Sequence, residues 1–356
     1  MTMMALGRAE RNVQPRMLTT IDSPQQIRPE IIDRPWTEET RQQAFDREIT
    51  EHCIEYFGRA MSLRNWSPWH QLPLEEMQRL GPQLSSETQD LIEGFLGIEE
   101  YVGDYVQTGL AVFRHNRIRR NLQLQWGAEE ARHGVTWEIV LKQSSARTEE
   151  QLHAYLAKSQ STRWNPGQHA GLDTPIGAAI YAMFQERATY FHYQKLRLRI
   201  RAEYGLPATL TPTEQERGFE IGASEACRLV ALDEITHHGL FLRIVQSAIK
   251  YFPAYTFDLL AKVVCGFEMP AVRLIPNARV FLRAVLRTDF YNAEIHRLEI
   301  RDPVLKAIGL EDHAAFEKAV AAAPHLPIDL HPDSITLMRT GEWVVGERTN
   351  SLEPAH

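Results

Sequence analysis

From about Glu38 onward the sequence keeps to the period of an α-helix, and strand-like alternation is almost absent until Glu342-Trp343-Val344-Val345-Gly346. Apolar residues recur three and four apart, as in Phe95, Ile98, Val102, Tyr105 and Val106, which gathers them into one helical stripe. Such a chain must bury helix against helix. Several helix starts can be read from their chemistry. Thr211-Pro212-Thr213-Glu214 supplies a hydroxyl cap, a proline at the first helical position and a glutamate three residues after the cap. Asp173-Thr174-Pro175 opens another helix in the same manner, and Ser86 with Gln89 reads as a capping box. In Asn65-Trp66-Ser67-Pro68-Trp69, Pro68 disfavours a helical Ser67 and marks a break.

The pattern predicts long helices over about 86–115, 118–143, 174–204 and 212–250, with more helix over about 276–300 and 312–323. Four long helices with sizeable connections point to an all-α bundle rather than a layered α/β fold. The expected organisation is an irregular arm over 1–36, a helical domain over 37–325 and a mostly irregular extension over 326–356. Glu342–Gly346 is the one expected short strand.

Composition removes several classes of function. The 356 residues carry a net charge of −7, which disfavours general attraction to nucleic acid. No run of about 18 apolar residues is present, so no membrane span is expected. Cys53, Cys227 and Cys265 show no CxxC or metal-like spacing, which argues against a disulfide framework or a thiolate zinc site and for a reducing cytoplasm. The opening MTMMALGRAERNVQ has no continuous apolar stretch of secretory type, and Glu10 does not suit a transit peptide.

Glu129-Glu130-Ala131-Arg132-His133 and Asp233-Glu234-Ile235-Thr236-His237 each contain Glu-x-x-His on a predicted helix. Residues three apart lie roughly 60° apart around the axis, so both side chains can reach one ion. Carboxylate together with neutral imidazole suits iron or manganese. Two such helices, with one further Glu from each of two others, make a carboxylate-bridged dimetal site in a bundle. Glu99 and Glu186 stand in the helices preceding the two motifs, so the chain order is Glu, Glu-x-x-His, Glu, Glu-x-x-His. One Glu-x-x-His arises readily by chance in an acidic helical protein; the ordered set does not.

These segments resemble the soluble acyl-carrier-protein desaturases. Gly127–Gly134 is similar to that family's first metal motif, Phe184-Gln185-Glu186-Arg187-Ala188-Thr189 to its third-helix segment, and Asp233-Glu234-x-x-His237 to its second motif. Ile98-Glu99-Glu100 with Tyr105 resembles its first-helix segment, in a register that selects Glu99 over Glu100, and Trp66-Ser67-Pro68 with Leu72-Pro73 resembles an upstream stretch. The matching segments run from about residue 65 to 241. The resemblance implies a ferritin-like four-helix bundle, usually a homodimer, holding two iron ions (Fe2+). It implies molecular oxygen, a ferredoxin-type electron donor, and an acyl chain presented on acyl-carrier protein. The implied ligands are Glu99, Glu130, His133, Glu186, Glu234 and His237, with Glu130 and Glu234 bridging. Thr189 would sit by the oxygen-binding face and help manage protons, while Trp66 and Asp233 would lie on an electron route toward His133. The expected reaction inserts a cis double bond into the acyl chain.

Some features depart from this pattern. Glu186 and Glu234 are 48 positions apart, longer than expected of the plant enzymes; Thr236 replaces a basic residue, and His238 follows His237. The same centre could instead hydroxylate or further oxidise a carrier-bound chain, or belong to an arylamine oxygenase. A non-catalytic ferritin-like iron-binding protein is the alternative from another class. Trp66 could merely anchor the helix break, and Asp233 could merely hold an imidazole. His115, His153, His169 and His192 have no partner spacing and read as surface or core residues. The basic runs 114–120 and 195–201 read either as solvated faces or as docking sites for an acidic carrier, with Arg117, Arg119 and Arg120 as the residues to reverse.

Overall fold

The computed structural model describes residues 35–36, 39–164, 174–269, 272–327 and 331–346. Most of the expected N-terminal arm, Asp173, His169 and residues 347–356 lie outside the described residues. Helix α1 spans Arg41–Leu63 and starts at a complete capping box, with the Thr40 hydroxyl accepting from Gln43 N and the Gln43 side chain accepting from Thr40 N. There follow α2 (Ser86–Glu99), α3 (Val102–Val112), α4 (Arg117–Gln143) and α5 (Glu149–Ser159). Next come α6 (Pro175–Glu203), α7 (Ala223–Tyr251), α8 (Pro253–Gly266), α9 (Ala278–Arg287) and α10 (His313–Ala322). Ile335–Leu337 and Trp343–Val345 form an antiparallel pair, so the strand expected near the C-terminus has a partner the pattern did not reveal. A second two-residue pair joins Pro35–Trp36 to Glu39–Thr40. Among the described residues no helix is long and apolar enough to cross a membrane.

The bundle consists of α2, α4, α6 and α7. The α6–α7 pair packs along its length, α2 packs on α4, and α1 covers α4 and α7 from outside. The apolar core divides into two clusters, and a polar layer lies where they meet. On α4 that layer falls between Trp126 and Trp137, on α6 between Phe184 and Tyr193, and on α7 between Ala231 and Leu240. A layer held between two dry clusters is fixed in position and shielded from water.

Four boundaries differ from the sequence expectation. The helix expected over 86–115 is interrupted at Glu100–Tyr101, where the buried Tyr101 hydroxyl donates to Leu274 O (3.1 Å) and Asp104 accepts from Trp164 N (2.7 Å). These tertiary hydrogen bonds override a continuous apolar stripe. The helix expected over 212–250 is two, Pro212–Arg217 and α7, because Gly218 and Gly222 adopt positive φ (78° and 61°) and turn the chain. The 276–300 helix stops at Arg287 and resumes at Ala293, with Asp289 at φ 46° between. The cap of α2 is Ser85 rather than Ser86: its hydroxyl accepts from Thr88 N, while Gln89 donates to Leu84 O instead of closing a box. The Thr211 capping box and the Thr174 cap are formed as expected.

Candidate metal centre

All six carboxylate and imidazole residues singled out in the sequence converge in the polar layer, each at most 7% exposed. Glu99 ends α2, Glu130 and His133 lie one turn apart on α4, Glu186 is mid-α6, and Glu234 and His237 lie one turn apart on α7. Two groups form, Glu99–Glu130–His133–Glu234 and Glu130–Glu186–Glu234–His237, each with ligand atoms within 4.8 Å of one another. Glu130 and Glu234 belong to both.

The arrangement fits a pair of cations better than a hydrogen-bonded cluster. His133 Nδ1 lies 3.2 Å from Glu234 Oε1 and 3.4 Å from Glu130 Oε2, and His237 Nδ1 lies 2.8 Å from Glu130 Oε1. Yet Glu130 Oε1, Glu234 Oε1 and His133 Nδ1 are buried without a partner in hydrogen-bonding geometry among the described residues. Donor atoms that crowd together while facing a common point suit coordination, and four carboxylates with two imidazoles suit iron or manganese.

The electrostatics show the same crowding. Burial, then repulsion from Glu130, pushes Glu99 and Glu186 well above the ordinary carboxylate range. Burial also raises Glu130, but the neighbouring His133 and His237 outweigh it and hold that carboxyl down at about 2. Burial lowers His133 and His237, and the carboxylates around them reverse this and raise both well above an ordinary imidazole.

Around the ligand atoms is a ring of hydrogen bonds. Trp126 Nε1 donates to Glu186 (3.0 Å), the Tyr193 hydroxyl to Glu99, and Thr189 Oγ1 to Glu234 Oε2 (2.6 Å). Asp233 Oδ2 meets His133 Nε2 at 3.2 Å and accepts from Trp66 Nε1 (2.8 Å) and Arg132 Nη2 (2.7 Å), with Arg132 also 4.7 Å over the Trp66 ring. Trp66 is thus in contact with the site and also stands at the helix break.

One residue of the site went unnoticed in the sequence. Glu129 Oε2 meets His237 Nε2 at 2.8 Å and accepts from the buried Tyr56 hydroxyl, while Arg64 lies 4.8 Å over the Tyr56 ring. Burial raises Glu129, and its bonds to His237 and Tyr56 bring it below an ordinary carboxylate. Glu129 therefore does for His237 what Asp233 does for His133. The available signal was that both motifs read acid–Glu-x-x-His, with the leading acid of each serving the histidine of the other.

Three cavities pass this layer in a line. The largest, about 410 Å³, touches Phe95, Ile98 and His192. A narrow one of about 10 Å³ touches Ile98, Glu99, Glu130 and Thr189. The third, about 60 Å³, shares Tyr105, Trp126 and Gln185 with the narrow one and is also lined by Phe113 and Trp164. Residue numbers rise along α2–α3 and fall along α6 from the first cavity to the third, so all three follow one seam between these helices. Its length on α6, His192 to Ala178, is about 21 Å at 1.5 Å per residue.

Neither basic run forms a continuous free patch among the described residues. Arg119 is buried against Phe45 and Asp46, and only Arg117 and Arg120 of its trio are exposed. Arg197, Arg199 and Arg201 are engaged by Glu220, Glu203 and Glu214, and Lys195 donates to Asp289 O.

Bundle and site together define a helical protein with a paired carboxylate–histidine cluster able to hold two metals. The chain belongs to the fatty acid desaturase family, whose profile matches residues 119–325, more than half of the sequence. No curated protein sequence matches it. Among solved structures, DesA2 from Mycobacterium tuberculosis H37Rv, provisionally assigned as an acyl-ACP desaturase, is similar at 15% identity and TM-score 0.49, over 79% of this chain and 97% of that one. A variant R2-like ligand-binding oxidase with an aerobically reconstituted Mn/Fe cofactor is similar at 15% identity and TM-score 0.40, over 73% of this chain and 90% of that one.

Proposed function

We propose that this protein is an acyl-carrier-protein desaturase that inserts a cis double bond into a carrier-bound acyl chain. The observation that carries the reading is the continuity of the apolar seam with the ligand layer. An extended chain lying in the three cavities has its middle beside Glu99, Glu130 and Thr189. Family membership supports an acyl substrate.

Two iron ions, held by Glu99, Glu130, His133, Glu186, Glu234 and His237, would supply the oxidising power needed to take hydrogen from an unactivated methylene. Glu130 and Glu234, shared by both ligand groups, would bridge them. The reaction removes two hydrogens from the acyl chain and, with two further electrons and two protons, reduces one oxygen molecule to two waters. The protein excludes bulk water from the layer through the clusters on either side of it. Ile98, Val102 and Tyr105 border the seam and hold the methylenes at the waist. The Thr189 hydroxyl, bonded to Glu234, is placed to hold or pass a proton at that carboxylate. Trp66, Asp233 and His133 form a hydrogen-bonded chain that would conduct electrons inward from a ferredoxin-type donor. We further propose that it acts in the cytoplasm as a homodimer.

The test is anaerobic loading with ferrous iron, then addition of oxygen, reduced ferredoxin and hexadecanoyl carrier protein, with the acyl product weighed by mass spectrometry. Loss of two hydrogens, abolished in Glu130→Ala, is the expected result. Gain of oxygen would instead identify a hydroxylase, and iron uptake far beyond two per chain with no acyl product would identify an iron store.

A further inference from the structure

The mouth of the 410 Å³ cavity carries a feature that the metal layer does not use. Helix α9, Ala278-Arg279-Val280-Phe281-Leu282-Arg283-Ala284-Val285-Leu286-Arg287, borders the opening with Phe281, Leu282 and Val285. It is anchored by burial of Phe281 and Ala284 against α2, where Gly94 leaves room for the Phe281 ring: a Cβ there would come within 1.9 Å of it. Asn277 Nδ2 donates to Glu93 (2.8 Å) and fixes the start of the helix.

Arg279, Arg283 and Arg287 are spaced i, i+4, i+8 and so form one row, and all three are exposed. The helix contains no acidic residue. Among the described residues Arg279 and Arg283 have no ion-pair partner, and Arg287 has only a 3.4 Å approach to Glu87. Leu286, 77% exposed, and Leu282, 41% exposed, lie between this row and the opening. Arg273 is also exposed on the rim but is paired there with Glu268 (3.0 Å), which leaves the α9 row as the uncompensated charge. In a chain of net charge −7, an all-basic helix with exposed leucines beside a cavity mouth is a local reversal of sign. Solvation alone does not call for the leucines, whereas a protein interface uses an apolar centre with a charged rim.

We propose that the exposed face of α9 is the docking surface for the acyl carrier, with Arg279 and Arg283 meeting an acidic helix of the carrier and Leu282 and Leu286 packing beside it. This rests on the carrier-bound substrate proposed above. It replaces the two basic runs considered from sequence: among the described residues, only α9 joins uncommitted arginines to the opening through which a tethered chain must enter. Charge complementarity selects an acidic partner, and the adjoining 410 Å³ cavity selects one that delivers an apolar chain.

The experiment measures affinity of the iron-loaded protein for hexadecanoyl carrier protein and, separately, for free hexadecanoic acid, at low and high salt. The double variant Arg279→Glu/Arg283→Glu is expected to bind the carrier at least about tenfold more weakly at low salt, with a flatter salt dependence. Its iron content and its affinity for free hexadecanoic acid should stay at wild-type values, and Arg117→Glu/Arg120→Glu should leave carrier binding unchanged. Wild-type carrier affinity in the α9 variant, or an equal loss for the free acid, overturns the assignment. No carrier binding by the wild type, with the free acid still bound, overturns the carrier reading together with it.

Discussion

Replacing Glu129 by Gln should weaken the metal centre although Glu129 is not among its proposed ligands. The Glu129 carboxylate lies 2.8 Å from His237 Nε2, on the far side of the ring from the Nδ1 that meets Glu130 and Glu186. A carboxylate at that edge fixes the tautomer, leaving Nδ1 with its lone pair free, and holds the ring in plane. Gln occupies the same space but removes the charge, and its amide can present N–H to Nε2 and favour the wrong tautomer. Loss of such an orienting partner typically weakens metal binding 10- to 100-fold, which is about 1.4–2.7 kcal/mol. An anaerobic ferrous titration of wild type, Glu129→Gln and Glu130→Ala measures it. Glu129→Gln should still reach two irons per chain at higher free iron, whereas Glu130→Ala removes a ligand of both groups and should not. Tyr56→Phe, which leaves Glu129 against His237, should cost less than Glu129→Gln. Wild-type affinity in Glu129→Gln would show that His237 needs no such support; failure to reach two irons at any concentration would make Glu129 a ligand itself.

The remaining expectations concern the other flank and the scaffold. Trp66→Phe removes an indole N–H from buried Asp233; iron stoichiometry should hold while denaturant unfolding shows a loss of about 1–3 kcal/mol and stopped-flow reduction of the loaded centre slows. Wild-type reduction rates would leave Trp66 a purely structural residue. Arg201, fully buried between Glu214 and Glu220, should cost about 3–5 kcal/mol when changed to Met, read from the urea midpoint, because the buried Glu214 loses its cation and Glu220 keeps only Arg197. Burial raises Glu214, but its bonds to Arg201 and Thr211 outweigh that and hold it at about 2 instead of 4.5. Its contribution, on the order of 3 kcal/mol, is therefore complete above pH 4.5 and is lost as the pH falls toward 2. Glu214→Gln should flatten the stability profile in that window, and an unchanged slope there would refute the assignment.

What could be read in the sequence was mostly what is local. Thr211 and Thr174 cap because hydroxyl, proline and, at Thr211, a glutamate at the third helical position act within a few residues of one another. The six ligand candidates were legible because each histidine shares a helical face with a glutamate one turn away and the order repeats. The break after Glu99 was not, since it depends on Tyr101 reaching Leu274, 173 positions away. The ion pairs of the basic run over 195–201 were hidden for the same reason: its partners Glu214 and Glu220 return only after the chain turns through Gly205. The α9 row was equally hidden, because an arginine stripe acquires meaning only from the cavity next to it.

Glu129 marks a different kind of omission, one that helical geometry could have prevented. In acid–Glu-x-x-His, the second and fifth residues share a face, and the leading acid lies about 100° around the axis from its neighbour. It cannot join the same ion as easily, so it points along the flank of its helix, where an adjacent helix carrying the same motif presents the outer edge of its histidine. Glu129 reaches His237 and Asp233 reaches His133 in this way, so each motif supplies two inward-facing groups and one brace for the other. The braces end in matching aromatic donors, Tyr56 and Trp66, each with an arginine over its ring. Two copies of a five-residue pattern thus account for four inward-facing groups and both supports. An acidic residue directly before each Glu-x-x-His is therefore a reason to expect the two motifs to be paired in space.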